Sequence, residues 1–123
     1  MTSDKKLKTR GLSTIPLEAI QAMSYKPYLP TNAQQQALAR LIEAAKGDTG
    51  QSRCIAEFLL AWWNADTYGG FDLTKLWAVD LSICHDMQTV FSLIAEQHHY
   101  PDHFELADDF KEIIRQWRPE SLD

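Results

Sequence analysis

The chain has 123 residues, 45% of them apolar and 24% charged, with a formal net charge of −5. That length suits one domain with a core of its own, and the composition excludes a disordered chain, a collagen-like repeat and a disulfide scaffold. The charge is uneven: residues 1–30 carry five basic side chains against two acidic ones, and residues 31–123 carry seven against fifteen, so the body is a poor match for a phosphate backbone.

In chain order, residues 1–30 read as an N-terminal arm and linker. Pro16 opens a short helix through Met23, with Leu17, Ile20 and Met23 at helical spacing. Pro27 and Pro30 bias their predecessors to extended backbone, so Lys26–Pro30 reads as a linker laid against the domain by Tyr25, Tyr28 and Leu29. A helical domain is expected over residues 31–119, followed by a tail over 120–123. Thr31 and Gln34 fit a capping box. Leu38, Leu41, Ile42 and Ala45 make the apolar stripe of the first long helix, and Gly47 is expected as its left-handed stop.

The next helix, over residues 51–66, is apolar almost all round and is expected at the centre of the fold. Trp62 and Trp63 diverge by about 100° on it, so one of them should lie near the surface. Gly69-Gly70 breaks the chain, and Asp72 can cap a short turn from Leu73 to Ala78. Asp80 is expected to cap a helix over residues 81–97 with a stripe of Ile83, Met87, Val90, Phe91 and Ile94. Pro101 is expected to start the final helix, which carries Leu106, Phe110, Ile113, Ile114 and Trp117 and stops at Arg118-Pro119. No stretch alternates long enough for a strand. The expected fold is therefore all-α, a compact bundle of four main helices plus two short ones with an extended N-terminal arm.

Chemistry is sparsely signalled. His98, His99, His103 and Asp102 are close in sequence, and such groups can bind a divalent ion. Pro101 interrupts them, and an exposed polar turn is the favoured account. Cys54 and Cys84 sit among apolar residues and read as structural thiols. Cys84 and His85 are adjacent on a helix and diverge too far to work as a pair. There is no phosphate loop, dinucleotide fingerprint or nucleophile elbow, and no cofactor is nominated. Glu105, Asp108, Asp109 and Glu112 fall at i, i+3, i+4 and i+7 and are expected to share one acidic flank of the last helix. Tyr68, Phe71, Asp72 and Trp77 surround the double glycine, and that loop is the first choice for a contact surface.

The run Phe58 through Ala65, with its paired Trp62-Trp63, then Gly69-Gly70-Phe71-Asp72-Leu73 and Leu76-Trp77, carries a resemblance. Together with Asp86-Met87, Thr89-Val90-Phe91 and Tyr100-Pro101-Asp102, it resembles a family of small uncharacterised proteobacterial proteins often found on plasmids and integrative elements. The resemblance covers roughly residues 33–119 and implies a bacterial setting and an accessory role on mobile DNA, with no catalytic residues to carry over.

The leading expectation is a non-enzymatic interaction protein with a protein partner, a homodimer being one form of it. The alternatives are a nucleic-acid-associated regulator using the basic arm, which the acidic body disfavours, and a small metal-dependent hydrolase using the histidine cluster. No apolar run reaches the ~20 residues of a membrane span, and no secretory h-region follows the basic start. A cytoplasmic protein with no membrane contact is expected.

Overall fold

A computed structural model describes residues 29–122. The expected helix over residues 16–23, the arm before it and most of the linker lie outside that range. Among the described residues the fold is all-helical: α1 (Asn32–Ala45), α2 (Gly50–Tyr68), α3 (Leu81–Gln97) and α4 (Ala107–Trp117), with short 3-10 turns at Leu73–Ala78, Pro101–Phe104 and Pro119–Leu122.

The capping box at the start of α1 forms as its residues predict. Thr31 Oγ1 accepts from the Gln34 amide at 3.0 Å, and Gln34 Oε1 accepts from the Thr31 amide at 3.0 Å. These two bonds satisfy backbone donors that the first helical turn leaves free. Gln34 is buried, and its Nε2 also donates to Ser92 Oγ and Glu96 Oε1 on α3, at 3.2 and 3.1 Å. Arg40 adds a two-pronged pair from the exposed side of α1, its Nε and Nη2 each 2.9 Å from the Asp86 carboxylate on α3.

The end of α1 differs from expectation. Lys46 caps the helix with φ −83°, and among the described residues the left-handed positions are Gly69, His98 and Glu105, so Gly47 is no left-handed stop. Gly47 is needed for space instead: a Cβ there would stand 2.6 Å from Ser52 Oγ and 3.3 Å from the Ala44 carbonyl oxygen. Ser52 is buried, and its hydroxyl is tied to Thr49 Oγ1 at 3.0 Å. Gly47→Ala should therefore cost about 1–3 kcal/mol in urea denaturation. The same change in a Ser52→Ala background should cost measurably less, because the clashing oxygen is gone; equal losses would show that crowding is not the cause.

In α2 the buried residues end at Leu60. Ile55, Ala56, Leu59 and Leu60 have no exposed surface, and each large aliphatic chain so buried contributes roughly 1.5–3 kcal/mol. Beyond them Trp62 and Trp63 are half-buried and residues 64–67 exposed. The backbone leaves helical geometry at Asn64 (φ −168°, ψ 92°), and Asn64 Oδ1 accepts from the Thr67 amide at 3.1 Å, restarting the helix as a cap would. Gly69, at φ 102°, then ends it. The expected all-round burial thus holds for the first half of α2 only. The helix that packs against α2, α3 and α4 alike is α1, and it takes the central place the sequence assigned to α2.

Two further helix starts differ. Asp80 makes no side-chain cap for α3; its amide donates to Gln51 Oε1 at 2.7 Å. Pro101 opens a separate 3-10 turn, closed by Glu105 at φ 60°, and α4 begins only at Ala107. Tyr100-Pro101 fixes an entry geometry that suits a 3-10 turn as well as an α-helix, so the proline marks a start without fixing its type. On α3, Met87, Val90 and Leu93 are the buried residues, while Phe91, expected in the stripe, is exposed.

Candidate interaction surface

Asp72 caps the turn Leu73–Ala78, accepting from the Thr74 amide at 2.9 Å and the Thr74 hydroxyl at 2.8 Å. These hydrogen bonds, the hydroxyl's first, hold its carboxyl below the usual carboxylate range. A 3-10 turn repeats every three residues, so positions three apart share a side. Leu73 and Leu76 fall on one such row, while Trp77 projects from another and is 85% exposed.

The turn is fastened from beneath. Lys75 Nζ donates to the Glu57 carboxylate on α2, which also lies 3.8 Å from Arg118 Nη2. The bond to Glu57 holds the Lys75 ammonium above its ordinary value. Arg118 Nε in turn donates to the Tyr68 carbonyl at 3.1 Å. Cys54 is buried with its thiol 3.7 Å from the Lys75 carbonyl. Burial pushes that thiol up, the Glu57 charge adds to this and Lys75 opposes it, an inert setting for a cysteine.

Of the expected loop residues, the structure divides four into two groups. Tyr68 and Phe71 are half-buried against the core, Phe71 edge-on to Phe58 with centroids 5.3 Å apart. Asp72 and Trp77 are exposed. The surface also holds residues that the sequence reading missed: Leu73, Leu81 and Phe91 are 67%, 69% and 61% exposed. A groove of about 230 Å³ lies among Phe58, Phe71, Leu73, Leu76, Met87 and Phe91, with Gln88 at its edge. A signal for Leu81 existed, because nine residues separate it from Val90 and place it about 180° from the centre of the stripe. For Leu73 there was none, since a 3-10 turn this short has no apolar period to read.

The acidic residues of the chain's end do not form one row. Glu105 stands in the left-handed closure of the 3-10 turn, outside α4. Asp108 is exposed in the first turn of α4. Asp109 and Glu112 reach back to Lys46, at 2.8 and 3.5 Å, and Lys46 is held above its ordinary value by the Asp109 bond first. Two of the four expected carboxylates are thus partnered within the chain.

The histidine cluster also resolves into stacking. The rings of His99 and His103 lie face to face, centroids 3.6 Å apart and planes 12° from parallel. Metal ligation uses a lone pair in the ring plane, and stacked faces do not aim two such pairs at one point. His85 is exposed. Among the described residues no group of three or more His, Cys, Asp or Glu is placed to hold a metal ion, and no helix is long and apolar enough to cross a membrane.

The paired tryptophans have a structural task. Trp62 Nε1 donates to the His99 carbonyl at 3.0 Å, and Trp63 stacks on Phe110 with centroids 5.3 Å apart. One indole ties down the segment before Pro101, and the other packs α4 onto α2. A family model matches residues 35–118. The chain belongs to the DUF7673 family, a family of unknown function. No curated protein and no solved structure matches the chain. The DUF7673 span runs from the first turn of α1 to the end of α4. It therefore contains both the exposed turn and the tryptophan pair beneath α4, while residues 1–34 precede it.

Proposed function

We propose that this DUF7673 protein is a non-enzymatic interaction protein. It binds a protein partner through the surface formed by the Leu73–Ala78 turn and the adjoining face of α3. The observation that carries the reading is the exposure of four large apolar side chains in and just after the turn and on α3: Leu73 and Phe91, which wall an apolar groove, and Trp77 and Leu81. Clustered large apolar side chains at the surface of a folded domain mark contact sites, and tryptophan is among the residues enriched at the energetic centres of such sites. The turn is held to α2 through Lys75 and Glu57, so the anchor is presented with little ordering cost on binding.

The exposed carboxylates of Asp72 and Asp80 flank the turn. They favour a partner whose apolar contact segment, a short amphipathic helix or strand, carries basic neighbours. The resemblance to proteins of plasmids and integrative elements supports an accessory role on a mobile element, in a bacterial cytoplasm. The nucleic-acid alternative gains nothing from this surface, which is apolar and edged with acid.

The test is comparative co-purification with the full chain, its Trp77→Ala and Leu73→Asp variants, and Asp108→Lys as a control on the other surface. A partner retained by the parent chain should bind at least tenfold more weakly, about 1.4 kcal/mol, to either turn variant. It should bind unchanged to the control. Both turn residues are exposed, so thermal stability should stay within about 0.5 kcal/mol of the parent. Undiminished binding by both turn variants would overturn the reading.

A further inference from the structure

A cavity of about 640 Å³ opens where the second half of α2 meets the segment that joins α3 to α4. From α2 come Trp62, Trp63, Asn64 and Asp66, and from the joining segment come Tyr100 and Asp102. Local structure brings them together. The course of α2 is broken at Asn64, between the indoles and Asp66. α3 ends at His98 in the left-handed region, at φ 55°. The His99 carbonyl then accepts from Trp62 Nε1 at 3.0 Å, and Pro101 is fully buried. The two walls are thus fastened to each other. Tyr100, 66% exposed, and the exposed Asp102 are left on either side of the buried proline.

The lining sorts ligands by charge. It carries two carboxylates and no Lys, Arg or His, and among the described residues neither carboxylate is paired with a Lys or Arg. An anion would be repelled. A hard metal ion takes about six oxygen ligands or more, and two carboxylates between aromatic walls fall short of that. An organic cation finds both things it needs: negative charge, and the faces of three electron-rich rings, which attract cations through their quadrupoles. The volume falls in the range of about 300–1,000 Å³ usual for small-ligand sites. We propose that this cavity binds an organic cation with a quaternary ammonium or guanidinium head, either free or carried on an arginine side chain. Tyr100 and the two indoles contact the head, and Asp66 and Asp102 balance its charge. None of the residues of the Trp77 surface line this cavity, so the inference does not depend on the proposed partner.

The test titrates the full chain with choline, agmatine and a blocked Gly-Arg-Gly peptide, following the indole N–H signals of Trp62 and Trp63 by NMR. At least one probe should shift both signals saturably, with a Kd below about 10 mM. Asp66→Asn and Asp102→Asn should each weaken that probe by roughly threefold or more, and Tyr100→Ala by roughly fivefold. The signals of α1 should stay in place in all three variants, which reports an intact fold. Where choline binds, neohexyl alcohol, which has its shape without its charge, should bind more weakly by about tenfold. Preference for the peptide over agmatine identifies an arginine side chain as the ligand, and the reverse identifies a free cation. No saturation by any of the three probes would overturn the proposal. So would neohexyl alcohol binding as tightly as choline, or unchanged affinity in both asparagine variants.

Discussion

Phe110→Ala is expected to cost about 3–5 kcal/mol, the usual range for deleting a fully buried aromatic ring. Phe110 has no exposed surface. Its ring stacks on Trp63 and meets Trp62 edge-on, with centroids 5.3 and 6.0 Å away. Removal therefore opens a cavity and strips both indoles of the surface they pack against. Whole domains of this size are stable by only about 5–15 kcal/mol, so the variant should unfold at much lower urea concentration than the parent. Tryptophan fluorescence is the natural readout, because Trp62 and Trp63 face the lesion. A change below about 1 kcal/mol would mean that α4 is not fastened to α2 by this aromatic cluster.

Trp117→Ala should be the next most damaging change, at about 2–4 kcal/mol, scaled down from full burial because the indole is half-exposed. Its Nε1 donates to the Ala45 carbonyl at 2.8 Å, closing one of the oxygens that the end of α1 leaves without a helical partner. The Arg53 guanidinium lies 5.4 Å from the ring centroid and adds a cation–π contact. Trp117→Phe separates the two contributions. It keeps most of the packing and loses the donor, so it should cost about 1–2 kcal/mol. If the phenylalanine variant is as unstable as the alanine variant, packing has little share in what Trp117 does. Calorimetric melts of the three chains would decide it.

The helices were legible because their signals are local. Thr31 with Gln34, the stripe on α1 and the row from Phe110 to Trp117 each lie within a few turns of one segment, and the structure reproduces them. Failures occurred where a distant group decided the outcome. Gly47 was read by the usual role of glycine at a helix end, but Ser52 five residues on fixes why glycine is there. Asp80 had the right side chain for a cap, but Gln51 on α2 supplies the bond that its backbone makes. The acidic row failed because its register assumed one continuous helix from Pro101. The extra 3-10 turn moves Glu105 off that helix, and Lys46 from α1 takes two of the remaining acids. The exposed apolar surface was half legible: Trp77 and Asp72, both exposed, stand out in the composition around the glycines. Phe91 was concealed by its nearness to a genuine core stripe, whereas Leu81, opposite that stripe, left a signal in its spacing.

Gln34 gives the fold an interlock between near and far. A side chain that in most proteins serves only the first turn of its own helix here spans to Ser92 and Glu96, fifty-eight and sixty-two positions along the chain. The opening turn of α1 thus cannot unravel without breaking bonds to α3, and α3 cannot pull away without exposing a buried amide. Terminal turns usually exchange their hydrogens fastest. In this molecule the amides at the head of α1 should instead open together with α3, in one cooperative step.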